Sequence, residues 1–212
     1  MQFIEATYVG NFIDKQMLFD VFDEVNRYFT ENNIDVRLVY IGPLKLAPGY
    51  LVSIKTSNGT LRAYPLEALI ETLYSRLLQD IKELIEQRGG DDTGIIMNKI
   101  LALTTFPLIS RNPYFDFYEK FLGYHETITN LRIMILSTEP FHSEDIENFR
   151  MRLFKGVLHE IGHSFGLEHC SGECVMNPPR TIEEWDLRPP TYCDRCFLEL
   201  KRNAEYDPGL KF

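Results

Sequence analysis

The stretch from Ser143 to Met176 reads SEDIENFRMRLFKGVLHEIGHSFGLEHCSGECVM. Its first two-thirds have helical periodicity. Ile146, Phe149, Leu153, Phe154, Val157, Leu158 and Ile161 recur at three- and four-residue spacing, the pattern of a helix burying one face. Ser143 is placed to cap its start, and the helix is expected to run to about Phe165. Near its end His159 and His163 stand four residues apart, on one face and one turn from each other, so both imidazoles can reach one ion. Glu160 projects to the side, where a carboxylate can hold a water and take its proton. Gly166 permits a left-handed backbone and a sharp exit from the helix. The chain can then bring His169 back as a third ligand. Three imidazoles and an open position suit zinc.

All four cysteines follow closely: Cys170, Cys174, Cys193 and Cys196. Two close pairs separated by a loop are the usual arrangement of a closed, structural Cys₄ zinc site. Two disulfides, or a redox-active C-x-x-C pair, are the alternatives. After Gly166 the texture is rich in Gly, Pro, Cys and charge, with weak signs of regular structure. Such a segment buries little apolar surface by itself and needs a staple.

Upstream, strand-like and helix-like signals alternate. Strands are expected at residues 2–9, 35–41 (closed by Gly42-Pro43), 51–55, 99–105, 115–122 and 131–137, with a turn at Ser57-Asn58-Gly59. Residues 14–31 place Met17, Leu18, Val21, Phe22, Val25, Tyr28 and Phe29 on one helical face. A second helix begins at Pro65, carries Leu66, Leu69, Ile70, Leu73, Leu77, Leu78, Ile81, Leu84 and Ile85, and stops at Gly89-Gly90. The order implies an α/β (α+β) fold with a mixed, partly parallel sheet and helices packed on it.

The chain has 212 residues, with 22 Lys+Arg against 31 Asp+Glu and a formal net charge of −9. That balance disfavours nucleic acid, which needs a local excess of positive charge. No apolar run is long enough to cross a membrane, and Met1–Gly10 lacks the basic start of a signal peptide. A cytoplasmic protein without membrane or nucleic-acid partners is expected, and clustered cysteines there favour metal over disulfides.

The pattern His159-Glu160-x-x-His163-x-x-Gly166-x-x-His169 resembles the metzincin metallopeptidase signature. Taken with Cys170, Cys174-Val175-Met176 and Cys193-Asp194-Arg195-Cys196, it resembles the archaemetzincins. The resemblance covers residues 159–196. The Cys170–Cys174 and Met176–Cys193 gaps are each one residue shorter than in the family pattern. It implies two zinc ions per chain: a catalytic one on His159, His163 and His169, and a structural one on Cys170, Cys174, Cys193 and Cys196. Met176 would form the Met-turn beneath the catalytic metal. One metallopeptidase domain over 1–212 would divide into an upper α/β subdomain (1–166) and a small, irregular, zinc-stapled lower subdomain (167–212), with the cleft between them.

The implied activity is hydrolysis of peptides or unfolded protein segments, with Glu160 as the base. An edge strand, for which Phe115–Leu122 with its aromatics is the candidate, would receive the peptide. Tyr192 and Arg195 are candidates for stabilising the oxyanion. His125 and His142 are left outside the site, and Trp185 is expected to anchor the lower subdomain by burial. A catalytically weak, zinc-stabilised peptide-binding module is the competing reading. Glu160 counts against it, because pure binding needs no base.

Overall fold

The computed structural model describes residues 1–10, 15–46, 49–56, 59–88, 96–110 and 123–207. In chain order the elements are β1 (Gln2–Val9), α1 (Lys15–Glu31), β2 (Val36–Leu44), β3 (Val52–Thr56), β4 (Gly59–Pro65), α2 (Leu66–Arg88), β5 (Ile96–Thr104), β6 (Leu108–Ile109), β7 (Gly123–Ile128), β8 (Leu131–Ser137), α3 (Ile146–Ser164), α4 (Ile182–Leu187) and α5 (Asp194–Tyr206). Five strands form one sheet in the order β2-β1-β5-β8-β7, and β3-β4-β6 form a smaller one. In the large sheet β1, β2, β5 and β8 pair in parallel, and β7 joins β8 antiparallel. The fold is therefore the expected mixed α/β arrangement.

Strand alternation sorts side chains into two layers. Ile4, Ala6 and Tyr8 of β1, Leu101 and Leu103 of β5, and Met134 and Leu136 of β8 share a core with α1 and α3. Ile100, Ala102, Ile133 and Ile135 face the other way, onto Leu69, Leu73, Leu77 and Ile81 of α2. The first layer also takes in Cys170, Val175, Met176, Trp185, Tyr192 and Leu200. The segment after Gly166 thus shares the core of α1 and α3.

The structure departs from the sequence pattern at several points. The second strand does not stop at Gly42-Pro43. It continues through a bulge, where the register against β1 shifts between Ala6 and Tyr8. Gly42 adopts φ +90° there, a conformation side-chain-bearing residues rarely hold. The α3 cap is Asp145, whose carboxylate accepts from the N–H of Glu147 and Asn148, while Ser143 only supports Asp145 through its own hydroxyl. Ile146 then lies at the exposed first turn, 54% accessible, outside the buried stripe. Leu78 and Ile85 of α2 are likewise exposed. The tail is more regular than its composition suggested, since α5 buries Cys196, Leu200 and Ala204 along one face. Strands β4, β6 and β7 were not anticipated. The expected strand at 115–122, Ser57-Asn58 and the Gly89-Gly90 stop lie outside the described residues.

Two sets of ionisable side chains are buried between the layers. Lys99 is fully buried on β5 and donates to Gln2, Asn98 and Asp207 at 3.1, 2.7 and 2.7 Å. Arg132 bonds the same Asp207 carboxylate and the Ser164 carbonyl, so the residue after α5 is fastened to the sheet and to the end of α3. On the opposite face Glu5 is 2% exposed, near the Arg76–Asp80 pair of α2. Burial, reinforced by the Asp80 charge, pushes Glu5 from 4.5 up to about 8. The folded state therefore holds a proton that the unfolded chain releases. The resulting stability is complete below about pH 4.5 and is lost as pH rises through about 8. Relative to Glu5→Gln, the wild-type chain should lose up to ~1.4 kcal/mol per pH unit across that window. Urea unfolding at pH 5, 7 and 9 measures this, and parallel pH profiles for the two proteins would refute it.

Candidate active site

Helix α3 delivers His159 and His163 on adjacent turns. The Nδ1–H of His159 donates to the Val175 carbonyl and that of His163 to the Leu167 carbonyl, each at 2.8 Å. A carbonyl can only accept, so both rings are protonated at Nδ1 and present a bare Nε2. The two Nε2 atoms lie 3.0 Å apart. His169 completes a group whose ligand atoms all fall within 4.8 Å of one another. Burial, with the neighbouring imidazoles adding to it, draws His159 down to about 4 and His163 to about 3. The rings are therefore neutral near pH 7, the state in which imidazole ligates a metal.

The turn that returns His169 is a Schellman motif. Gly166, at φ +83°, donates its N–H to the His163 carbonyl, and Leu167 donates to the Gly162 carbonyl at 3.0 Å. Farther on, the Asn177 N–H closes a tight turn on the Cys174 carbonyl at 3.0 Å, and Met176 sits inside it, fully buried. Its sulfur lies directly under α3, where a Cβ on Gly162 would stand 2.4 Å from Sδ. The turn is strapped by the Cys170 N–H, which donates to the Met176 carbonyl.

Glu160 is 4% exposed, and its Oε2 meets no hydrogen-bond partner among the described residues. Burial alone pushes its carboxyl up to about 8. On its other side it rests against Gly123, the first residue of β7, where a Cβ would fall 1.9 Å from Oε1. Glu160 and the three histidines line one cavity of about 370 Å³. Its remaining wall is largely apolar, with Leu136, Phe141, Pro178, Pro179 and Trp185. Trp185 is 2% exposed, stacks on Phe141 at 6.1 Å and meets the His159 ring edge-on.

The four cysteines are free thiols, not disulfides. Their sulfurs also lie within 4.8 Å of one another, with Cys170 and Cys193 Sγ 3.9 Å apart. Four thiolates about a zinc ion at ~2.3 Å stand ~3.8 Å from each other, so this spacing fits. Backbone N–H groups of Gly172, Met176 and Cys193 point at cysteine sulfurs. A backbone N–H from Cys196 brings the Cys193 thiol down to about 7.

Neither proposed oxyanion group stands in the cleft. The Tyr192 hydroxyl is buried and donates to the Leu158 carbonyl at 2.5 Å. Arg195 lines a neighbouring polar depression, with Glu168 and Glu199, that meets the cleft at His169 but leaves Arg195 off the cleft wall. His125, set aside from the sequence, lines the cleft and stacks on His163 with centroids 4.1 Å apart and planes 15° from parallel. Its only signal was the Gly123-x-His125 spacing, which puts both residues on one face once the segment is known to be a strand. His142 packs against Phe149, away from the histidine group.

The model of peptidase family M54 matches residues 1–202. The chain belongs to this family. It is 35% identical over 104 residues to an archaemetzincin of Saccharolobus islandicus, covering 47% of this chain and 56% of that protein. The chain thus spans about half the length of the first curated relatives it matches. Among solved structures, archaemetzincin from Methanopyrus kandleri aligns with a TM-score of 0.67 at 23% identity, over 97% of this chain and 96% of that one. A zinc-dependent peptidase from Methanocorpusculum labreanum aligns with a TM-score of 0.66 at 20% identity, over 92% and 99%. These likenesses are of fold.

The contact between Gly123 and Glu160 can be isolated by a double-mutant cycle. Gly123→Ala should cost ~1–3 kcal/mol of stability in the wild-type background and less than ~0.5 kcal/mol when Glu160 is Ala. Equal costs in both backgrounds, measured by denaturant unfolding, would show that the carboxylate does not press on the strand.

Proposed function

We propose that the chain is a zinc metallopeptidase that hydrolyses peptides or unfolded protein segments. It would hold two zinc ions, one on His159, His163 and His169 and one on Cys170, Cys174, Cys193 and Cys196. The observation that carries this reading is Glu160, a buried carboxyl group with an orphan oxygen, lining the same cavity as three histidines, two of which present a bare Nε2. A buried, unpaired carboxylate is costly unless something later occupies its empty side. A purely binding site has no use for it.

The donor sets fit the metal. Three imidazoles leave a position open, and four thiolates leave none. When bound at the histidines, zinc supplies Lewis acidity towards a peptide carbonyl and an attacking water. With a divalent cation held at the histidines, the Glu160 carboxyl would be ionised. It then takes the proton of the attacking water and returns it to the leaving amine. The Val175 and Leu167 carbonyls hold two of the imidazoles in the ligating tautomer. Met176 supports the group from below, through the gap left at Gly162. The apolar end of the cavity, at Phe141 and Trp185, accepts an apolar substrate side chain. The backbone of that substrate pairs along β7, the end strand of the described sheet. Gly166 divides an upper part, 1–166, from a lower part, 167–212, that the cysteine site staples. Reduced thiols suit a cytoplasmic setting.

Zinc-loaded wild-type protein should cleave members of a peptide library. Glu160→Gln should lower kcat at least ~10³-fold while elemental analysis still finds both zincs. Full activity in that variant, or a zinc-loaded wild type that cleaves nothing, would sink the proposal. At the second site, all four thiols should resist a thiol reagent until a chelator is added. Cys193, the most exposed of the four and the one with the lowered pKa, should then react first. Prompt reaction of four thiols without chelation would remove the Cys₄ zinc from the proposal.

A further inference from the structure

Peptide hydrolysis at this centre develops negative charge on the scissile carbonyl oxygen, and a fixed hydrogen-bond donor aimed at it accelerates the step. Among the described residues, most side-chain donors at or near the cleft are already committed elsewhere. His159 and His163 have committed their N–H groups to backbone carbonyls. The indole N–H of Trp185 donates to the Arg152 carbonyl at 3.3 Å. The Tyr192 hydroxyl is spent on Leu158, and Arg195 lies in another depression. Tyr124 also lines the cavity, but its ring packs with the α2 layer, where Glu67 stands near its hydroxyl. His125 is left. Its ring is exposed, it lines the cleft, and no described residue accepts a hydrogen bond from it.

Its placement is determined by the strand. Gly123 and His125 are two residues apart on β7 and point to the same side, towards α3. Gly123 abuts Glu160, and His125 lies flat on His163. One strand face therefore meets the base and a metal-ligand ring together. The parallel stack fixes the plane of the His125 ring without making it a member of the three-histidine group.

We propose that His125 is a further catalytic residue of the metallopeptidase, donating a ring N–H to the scissile carbonyl oxygen as charge develops there. The inference rests on the peptidase reading above. No bond to His125 forms or breaks; it contributes an oriented dipole.

Two substitutions separate donation from stacking. His125→Phe keeps a flat ring on His163 and removes the donor, whereas His125→Gln keeps an N–H donor and removes the ring. Zinc affinity by competitive chelation should stay within ~3-fold of wild type for both. His125→Phe should lower kcat by ~10²–10³-fold with little change in KM. It should weaken binding of a phosphinic peptide, which mimics the tetrahedral intermediate, by a similar factor in calorimetry. His125→Gln should recover to within ~10-fold of wild type on both measures. The opposite pattern, an active His125→Phe beside an impaired His125→Gln, would make His125 a stacking partner only. Loss of zinc affinity in His125→Phe would make it a metal-positioning residue, and either outcome overturns the proposal. If zinc-loaded wild type neither cleaves peptides nor binds the phosphinic peptide, the peptidase reading itself fails and takes this inference with it. If wild type does both and His125→Phe matches it, the assignment of His125 alone is wrong.

Discussion

The last turns of α3 must admit close neighbours on three sides, and the rest of the site follows from how that is achieved. At Gly156 the rings and methyls of Phe141 and Leu136 come within 3.0 Å of where a Cβ would be. At Gly162 the Met176 sulfur and the Tyr192 ring occupy that space. At Glu160 the roles reverse: the helix carries the large side chain and β7 supplies the glycine, Gly123. Packing at these points is limited by hard contact, not by attraction. A methyl at any of them moves β7, the Met176 turn or Phe141 away from the helix. The histidine geometry depends on the same contacts, since the Val175 carbonyl that orients His159 belongs to the Met176 turn.

Beyond the helix, polar clamps position the segment after Gly166. Lys155 of α3 is buried and reaches the carbonyls of Asp186 and Arg188 at 3.3 and 3.1 Å, as well as that of Trp185. Arg152 grips the Asp186 carboxylate with two bonds of 2.6 Å and also bonds the Phe141 and His142 carbonyls. At the far end Asp207 is held by Lys99 and Arg132. Buried charges of this kind add little net stability, because desolvation offsets their attraction. Losing one partner is expensive, so they enforce a particular docking of α4 and α5. That docking sets Trp185 in the cleft wall and brings Cys193 and Cys196 to Cys170 and Cys174.

Elements with a strong internal period were legible in advance. Helices α1, α2 and α3 announce themselves by three- and four-residue spacing, and β1, β5 and β8 by short apolar runs bounded by turns. Elements whose formation depends on a distant partner were not. β7 reads Gly-Tyr-His-Glu-Thr-Ile, a polar sequence that becomes a strand by pairing with β8. The bulge at Gly42 exists because β1 sets the register of β2. Helix α5 carries many charged residues and is helical over a narrow buried stripe of Cys196, Leu200 and Ala204. The exchange of Ser143 for Asp145 as the α3 cap is a local error of two residues, the usual uncertainty at a helix start.

The sequence by itself determined which residues gather into the three-histidine and four-cysteine groups. His159 and His163 are juxtaposed by the helical repeat, His169 by the turn that Gly166 permits, and Cys170 and Cys174 by their nearness in the chain; local geometry leaves such residues few other arrangements. Only the tertiary structure decided which remaining side chains face the cleft. Tyr192 and Arg195 are turned away from it, and His125 is turned in. Which face of a strand or loop looks inward is set by register and docking against segments far along the chain, and a single-residue slip in that register would send His125 to the opposite side of the sheet.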